Sequence, residues 1–257
     1  MRQYVGRDND KRRLQKALRM MPAASEKNHP IRVAILIPSR FNSSRFPGKA
    51  MHELGCTPMA KIVYDKCKST GIDTFLISDD DRICKLVECS RLTSASCENG
   101  TARCAEAAQT LDTYDAFINV QGDMPDITVE IINKVASALE KNSLVTVYTK
   151  MSSAERLNPN SVKMIHNGSH AIWMCRAPLS YGDQHLGVYG YSKEMLSTYA
   201  SLPKCDSEDI EGLEQLRWLN ARVQMSIIHV DFNGIEINSP EDAQKWEQVQ
   251  KSKIEME

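Results

Sequence analysis

The chain has 257 residues, with 32 Lys and Arg against 33 Asp and Glu and a formal net charge of −1. That length supports one sizeable α/β core with room for a small second lobe, and the balanced charge argues against a nucleic-acid or anionic-membrane partner. No apolar run approaches the roughly 20 residues that a membrane span needs. The eight cysteines form no C-x-x-C pair, and Cys84 and Cys89 fall within a helix-like pattern. The expectation is buried thiols in a reducing cytoplasm rather than disulfides or zinc.

Residues 1–30 are basic and polar, with Leu14, Leu18 and Met21 as one apolar stripe before Pro22-Ala23-Ala24-Ser25. The segment lacks the apolar core of a secretory signal, and Asp8, Asp10 and Glu26 count against an Arg-rich presequence. It reads as a flexible or partly helical extension outside the folded domain, which then covers residues 31–257.

The run Val33-Ala34-Ile35-Leu36-Ile37 is short, wholly apolar and closed by Pro38, the pattern of a strand buried on both faces. A loop rich in Ser, Asn, Pro and Gly follows, carrying Arg40, Arg45 and Lys49. Small residues allow close backbone approach, and three cations near main-chain N–H groups suit a polyphosphate. The alternative is a solvated basic loop. A Walker loop is excluded by the spacing.

Met59 to Gly71 has helical periodicity, and Thr74 to Ser78 reads as a second strand. Strand, helix and strand at this spacing predict a βαβ unit whose ligands lie beyond the carboxyl ends of the strands. Asp79-Asp80-Asp81 falls at such an end. Asp79 and Asp81 form a D-x-D, the arrangement with which many glycosyltransferases hold a divalent metal, so that reading stands as an alternative. Further elements are an Ala-rich helix from Cys104 to Leu111, a strand from Ala116 to Val120, an amphipathic helix from Asp126 to Lys141, and a strand from Leu144 to Thr149. Asp123 sits at the end of the third strand behind Gly122, where a carboxylate can reach a magnesium ion on phosphate oxygens or serve as an ordinary turn residue.

Pro38-Ser39-Arg40-Phe41-Asn42-Ser43-Ser44-Arg45-Phe46-Pro47-Gly48-Lys49 resembles the P-A-R-x-x-S-x-R-x-P-G-K signature of the 3-deoxy-manno-octulosonate cytidylyltransferase family. Ser78-Asp79-Asp80-Asp81-Arg82-Ile83 is similar to its T-D-D-x-R-I, Asn99-Gly100-Thr101-Ala102-Arg103 to S-G-T-[ED]-R, and Gln121-Gly122-Asp123-Met124-Pro125 to Q-G-D-E-P. Leu157-Asn158-Pro159-Asn160-Ser161-Val162-Lys163 resembles F-N-P-N-x-V-K, and Ala171 to Pro178 resembles A-x-Y-F-S-R-x-P. Gln184-His185-Leu186-Gly187-Val188-Tyr189 is similar to K-H-I-G-I-Y, with a shorter approach than the family has. Asp209 to Arg217 and Gly234 to Asp242 match two closing motifs.

The resemblance implies a mostly parallel twisted sheet with helices on both faces, of the nucleotide-diphospho-sugar transferase type. It adds a small sugar-binding and dimerisation lobe over about residues 145–215. It implies nucleotide contacts from Arg40, Ser43, Arg45, Lys49, Ser78, Asp79, Gly100, Thr101, Arg103 and Gln121, with Lys49, Arg45 and Asp123 central to catalysis. Sugar-acid contacts fall on Gln121, Arg176, His185, Tyr189, Glu214 and Gln215, and magnesium on Asp123 and Asn238. The implied reaction joins CTP to a 3-deoxy-ulosonic acid, Kdo, with release of pyrophosphate, in a cytoplasmic homodimer serving lipopolysaccharide or capsule-type glycans. Two family carboxylates are replaced here, by Met124 and Asn238. Glu236 lies two residues before Asn238, and on a strand would share its face. A CTP-binding relative with impaired catalysis is the alternative that these replacements suggest.

Overall fold

The apolar run at residues 33–37 forms the central strand of the sheet, and its burial is two-sided. Ala34 and Leu36 belong to one core layer and Ile35 and Ile37 to the other, all fully inaccessible. Successive strand side chains point to opposite faces, so a strand covered on both sides has no polar phase. The computed structural model describes residues 30–43 and 46–255. Residues 1–29 of the expected 1–30 extension, and Arg45, lie outside the described residues.

Strand β1 (Val33–Ser39) leads through a single 3-10 turn to a small hairpin, β2 (Glu53–Leu54) and β3 (Thr57–Pro58). Next come α1 (Met59–Lys68), β4 (Asp73–Ser78), α2 (Asp81–Cys84), β5 (Ser90–Leu92), α3 (Gly100–Ala108), β6 (Ala116–Val120), α4 (Val129–Ala138) and β7 (Leu144–Thr149). The second half runs α5 (Ser153–Leu157), β8 (Lys163–His166), β9 (Ala171–Cys175), β10 (Asp183–Ser192), α6 (Lys193–Thr198), α7 (Asp206–Glu211), α8 (Leu216–Asn220), β11 (Ser226–His229) and α9 (Pro240–Glu255).

The main sheet has the order β11-β7-β10-β6-β1-β4-β5, with β8 and β9 attached through β10. β1 is parallel to both β4 and β6, β4 to β5, and β7 to β11, whereas β10 runs antiparallel to its neighbours. The sheet is therefore mixed but mostly parallel, as the resemblance implied. Helices α1 and α4 cover one face and α3 the other. Among the described residues no helix is long and apolar enough to cross a membrane.

Capping groups explain where the helices depart from their sequence-based limits. α4 begins at Val129 rather than Asp126 because the Thr128 hydroxyl accepts from the Ile131 N–H at 3.3 Å. α3 begins four residues before Cys104, since Asn99 accepts from the Ala102 N–H at 2.8 Å. Each such cap satisfies a donor that the first helical turn leaves without a partner.

The helix pattern expected across Cys84 and Cys89 is not a helix. α2 stops after one turn, and the Cys89 carbonyl accepts from the Leu76 N–H at 3.0 Å, joining the sheet edge instead. All eight cysteines are free; Cys67, Cys84, Cys104 and Cys175 are buried as expected, but Cys56 and Cys89 are exposed.

Because Ile35 is enclosed in the layer beneath α1 and α4, Ile35→Ala should lower unfolding free energy by about 2–5 kcal/mol in urea titrations. A loss under about 0.5 kcal/mol, the range of ordinary surface substitutions, would contradict its central place.

Candidate active site

Parallel pairing of β1 with β6 sets Leu36 beside Asn119, so both strands end at the same edge of the sheet. The loop after β1 and the Gln121-Gly122-Asp123 turn after β6 must therefore meet. They meet closely: a Cβ on Gly122 would lie 2.4 Å from Ser39 Oγ and 3.3 Å from the Pro38 carbonyl oxygen. A side chain there would force the Ser39 hydroxyl to rotate away and press on the Pro38 carbonyl. Gly48, at φ +70°, turns the chain back before Lys49, a left-handed conformation that glycine adopts without a Cβ clash. Lys49 Nζ then lies 2.6 Å from Asp123 Oδ2 and 3.2 Å from the Ile237 carbonyl oxygen.

Beyond these strand ends is a cleft of about 480 Å³. Arg40, Ser43, Lys49, Gly100, Arg103 and Gln121 border it on the β1 and α3 side. Ser78, Asp79 and Thr101 are placed behind that wall. Ser78 is fully buried and its hydroxyl accepts from the Asp80 N–H. Asp79 lies 3.5 Å from the Arg103 guanidinium, and its Oδ1 is buried with no hydrogen-bond partner. Thr101 gives its N–H and its hydroxyl to Glu214, the latter at 2.7 Å. The D-x-D does not form a metal site: Asp81 points outward to Lys85, and Asp80 caps α2 while gripping Arg82.

Arg176, His185, Tyr189, Glu214 and Gln215 form the other wall of the same cleft. Main-chain groups fix the guanidinium of Arg176, with Nε donating to Glu211 O at 3.1 Å and Nη1 to Asn160 O at 2.8 Å. His185 Nε2 is 3.0 Å from the Thr146 hydroxyl, and burial together with the Arg176 charge pushes its pKa down to about 3. The imidazole is thus neutral at physiological pH. Burial pushes the Glu214 carboxyl above its ordinary value, against the hydrogen bonds from Thr101. Gln215 donates to Met174 Sδ at 3.4 Å.

Asp123, Glu236 and Asn238 come together at the floor. Residues 230–238 form no strand, so Glu236 and Asn238 do not share a face through strand alternation. They are set instead by Ile237, whose N–H donates to Asp123 O at 2.9 Å. Glu236 Oε1 is buried without a partner. Burial, with the Asp123 charge beside it, pushes the carboxyl up to about 7. Among the described residues no group of three or more His, Cys, Asp and Glu could hold a metal. Magnesium nonetheless needs only one or two carboxylates when phosphates complete its shell. Oxygen donors around an unpartnered buried carboxylate oxygen fit that ion.

Sequence reasoning did not find a polar line through the core. Thr101 Oγ1 is 3.1 Å from Tyr191 Oη, Asn119 Nδ2 donates to the same phenol at 3.3 Å, and Gln121 Nε2 donates to Asn119 Oδ1 at 3.3 Å. The available signal was Asn119 itself, a polar residue inside the apolar strand β6. Lys163 was noted only as part of a motif, and Glu98, Asn99 and Glu208 at the cleft rim were missed as site residues.

A basic loop facing an acidic strand end across the carboxyl edge of a mostly parallel sheet defines a nucleotidyltransferase-type site. The model of the family described as cytidylyltransferase matches residues 34–227. A mitochondrial 3-deoxy-manno-octulosonate cytidylyltransferase of Arabidopsis thaliana is 32% identical over 86% of this chain and 84% of its own length. An 8-amino-3,8-dideoxy-manno-octulosonate cytidylyltransferase of Shewanella baltica is 34% identical over 84% of this chain and 97% of its own. Among solved structures, a CMP:2-keto-3-deoxy-manno-octonic acid synthetase complexed with CTP superposes with a TM-score of 0.80 at 27% identity, covering 86% of this chain and 99% of that one. The chain belongs to the cytidylyltransferase family, in its 3-deoxy-manno-octulosonate branch.

Two buried groups give opposing pH dependences. Glu236 binds its proton more tightly folded than unfolded, so its contribution to stability is lost as pH rises from the ordinary carboxylate range through about 7. His185 is held neutral, so its contribution is present above about 6.5 and is lost as pH falls toward about 3. In thermal melts from pH 5 to 8, Glu236→Gln should flatten the loss on the alkaline side and unmask the acid-side loss set by His185. An unchanged profile would contradict the placement of Glu236.

Proposed function

We propose that the protein transfers CMP from CTP to the anomeric hydroxyl of 3-deoxy-manno-octulosonate, releasing pyrophosphate. The observation carrying this reading is that one cleft joins the Lys49–Asp123 pair and the basic loop to the Arg176, His185 and Glu214 wall. The relatives' names and the CTP-bound fold relative support it.

In-line attack at the α-phosphorus leaves the protein mainly the tasks of positioning and charge neutralisation. Arg40 and Lys49 supply cations along the triphosphate, and Lys49 keeps the Asp123 carboxylate aimed into the cleft. Gln121 lies between the two halves, within reach of both substrates. Arg176 suits the sugar carboxylate, its plane already fixed by two carbonyls, and charge-assisted contacts of this kind are strong. Neutral His185 suits a hydroxyl rather than an anion. Magnesium would be held by Asp123 and Asn238 and would supply charge neutralisation at the phosphates. The protein is further proposed to work as a cytoplasmic homodimer. Its free thiols suit a reducing compartment, and Leu157, Ile172, Tyr181 and Ile210, all exposed, lie in the span expected to pair subunits.

The test is pyrophosphate release from CTP, magnesium and either 3-deoxy-manno-octulosonate or its 8-amino analogue. Turnover is expected with the former at higher kcat/KM. Lys49→Met should lower kcat by about 10²–10³, the cost of removing one preorganised charge contact. Asn238→Asp should tighten magnesium activation. CTP binding by calorimetry without release, in the natural protein and in Asn238→Asp, would replace this reading with that of a non-catalytic nucleotide-binding relative.

A further inference from the structure

The Asn158-Pro159-Asn160-Ser161-Val162-Lys163 motif supplies little to the cleft directly, Val162 being its one lining residue. Its lysine is nonetheless completely buried. Lys163 Nζ donates to three main-chain carbonyls: Asn158 at 2.8 Å, Ser161 at 2.9 Å and Arg176 at 2.6 Å. An ammonium has three donors and no acceptor, so all of its hydrogen-bonding capacity is used. Its partners are carbonyl dipoles from two separate segments, the turn after α5 and the end of β9.

Those segments carry the sugar-acid wall. Asn160 O, within the turn that Lys163 ties down, accepts from Arg176 Nη1. The Arg176 carbonyl is itself held by Lys163, while its N–H donates to Glu211 Oε2 at 2.6 Å. His185, on β10, is held against the residue next to Lys163, its N–H donating to Val162 O at 3.0 Å. An apolar side chain of equal length would fill the volume but withdraw the shared donor from all three carbonyls, leaving Asn158 O only the Ser161 N–H at 3.3 Å.

We propose that Lys163 is a positioning residue for the sugar acid: its buried ammonium clamps the 158–161 turn to the backbone of Arg176 and so fixes the guanidinium that receives the substrate carboxylate. The inference rests on the assignment of Arg176 to that carboxylate. Lys163 touches no substrate, and the nucleotide half of the cleft is built from other segments, so the effect is confined to one substrate.

Three variants test it by steady-state kinetics with both substrates varied, alongside thermal melts. Lys163→Met should raise KM for the sugar acid about tenfold or more and leave KM for CTP within about twofold, the signature of lost binding for one substrate. Lys163→Arg, which restores charge and donors, should recover part of that loss. Should Lys163→Met fail to fold, Pro159→Gly decides, since it loosens the same turn at an exposed position and should show the same one-sided change. Equal changes in both KM values, or a folded Lys163→Met with an unaltered sugar KM, would overturn the proposal. Arg176→Ala separates this from the parent reading. If it leaves the sugar KM unchanged, the assignment of Arg176 falls, and the positioning role with it. If it raises that KM while neither Lys163→Met nor Pro159→Gly does, the positioning role alone falls.

Discussion

The parallel contact between β1 and β6 is the constraint on which the site depends. Two strands buried on both faces cannot shift register without moving whole rows of apolar side chains, so their ends are fixed relative to one another. That fixes where the basic loop leaves the sheet and where Asp123 emerges. The remaining adjustment is made by two glycines. Gly122 permits van der Waals approach to Ser39, and Gly48 redirects the chain so that Lys49 reaches Asp123 at 2.6 Å. A core packing requirement is thereby converted into a charge pair at the mouth of a cleft.

The two walls of that cleft are built on different principles. The β1 and β6 side is made of loops at strand ends, where backbone and cations are presented together. The opposite side depends on buried polar groups that satisfy one another: Arg217 bridges Glu208 and Glu98, Thr101 holds Glu214, and Lys163 gathers carbonyls from two segments. Such groups are costly to bury unless partnered. The consequence is rigidity. A guanidinium held by Glu211 O and Asn160 O loses little rotational freedom when an anion arrives.

Much of this was legible in the sequence. Uninterrupted apolar runs gave away the doubly buried strands, and β6 and β7 have the limits their composition suggested. The Pro-Gly-Lys turn and the Gly-Asp pair marked the ends that face the cleft. Helix starts were less legible, because a single hydroxyl or amide, as at Thr128 and Asn99, decides them. The antiparallel placement of β10 could not be read, since periodicity carries no information on strand direction. The shared face expected for Glu236 and Asn238 on a strand does not arise, because the backbone there is irregular and is held by Asp123 and Asp126. Long-range polar contacts, such as those of Asn119 and Lys163, required the fold.

The replacement of a family carboxylate at position 238 takes on a different meaning once the floor is seen whole. Asp123 and Glu236 already share it, and proximity of like charges in a dry site favours keeping one of them protonated. The elevated pKa of Glu236 is that effect, with desolvation the larger part. A third carboxylate at 238 would deepen the repulsion, whereas an amide adds an oxygen donor without charge. Lys49, 2.6 Å from Asp123, is the cation that holds the present arrangement together. The floor therefore sets the Lys49 ammonium beside Asp123, with Glu236 holding its proton more tightly than an ordinary carboxyl and the Asn238 amide contributing no charge. The replacement is better understood as part of that local balance than as a lost function.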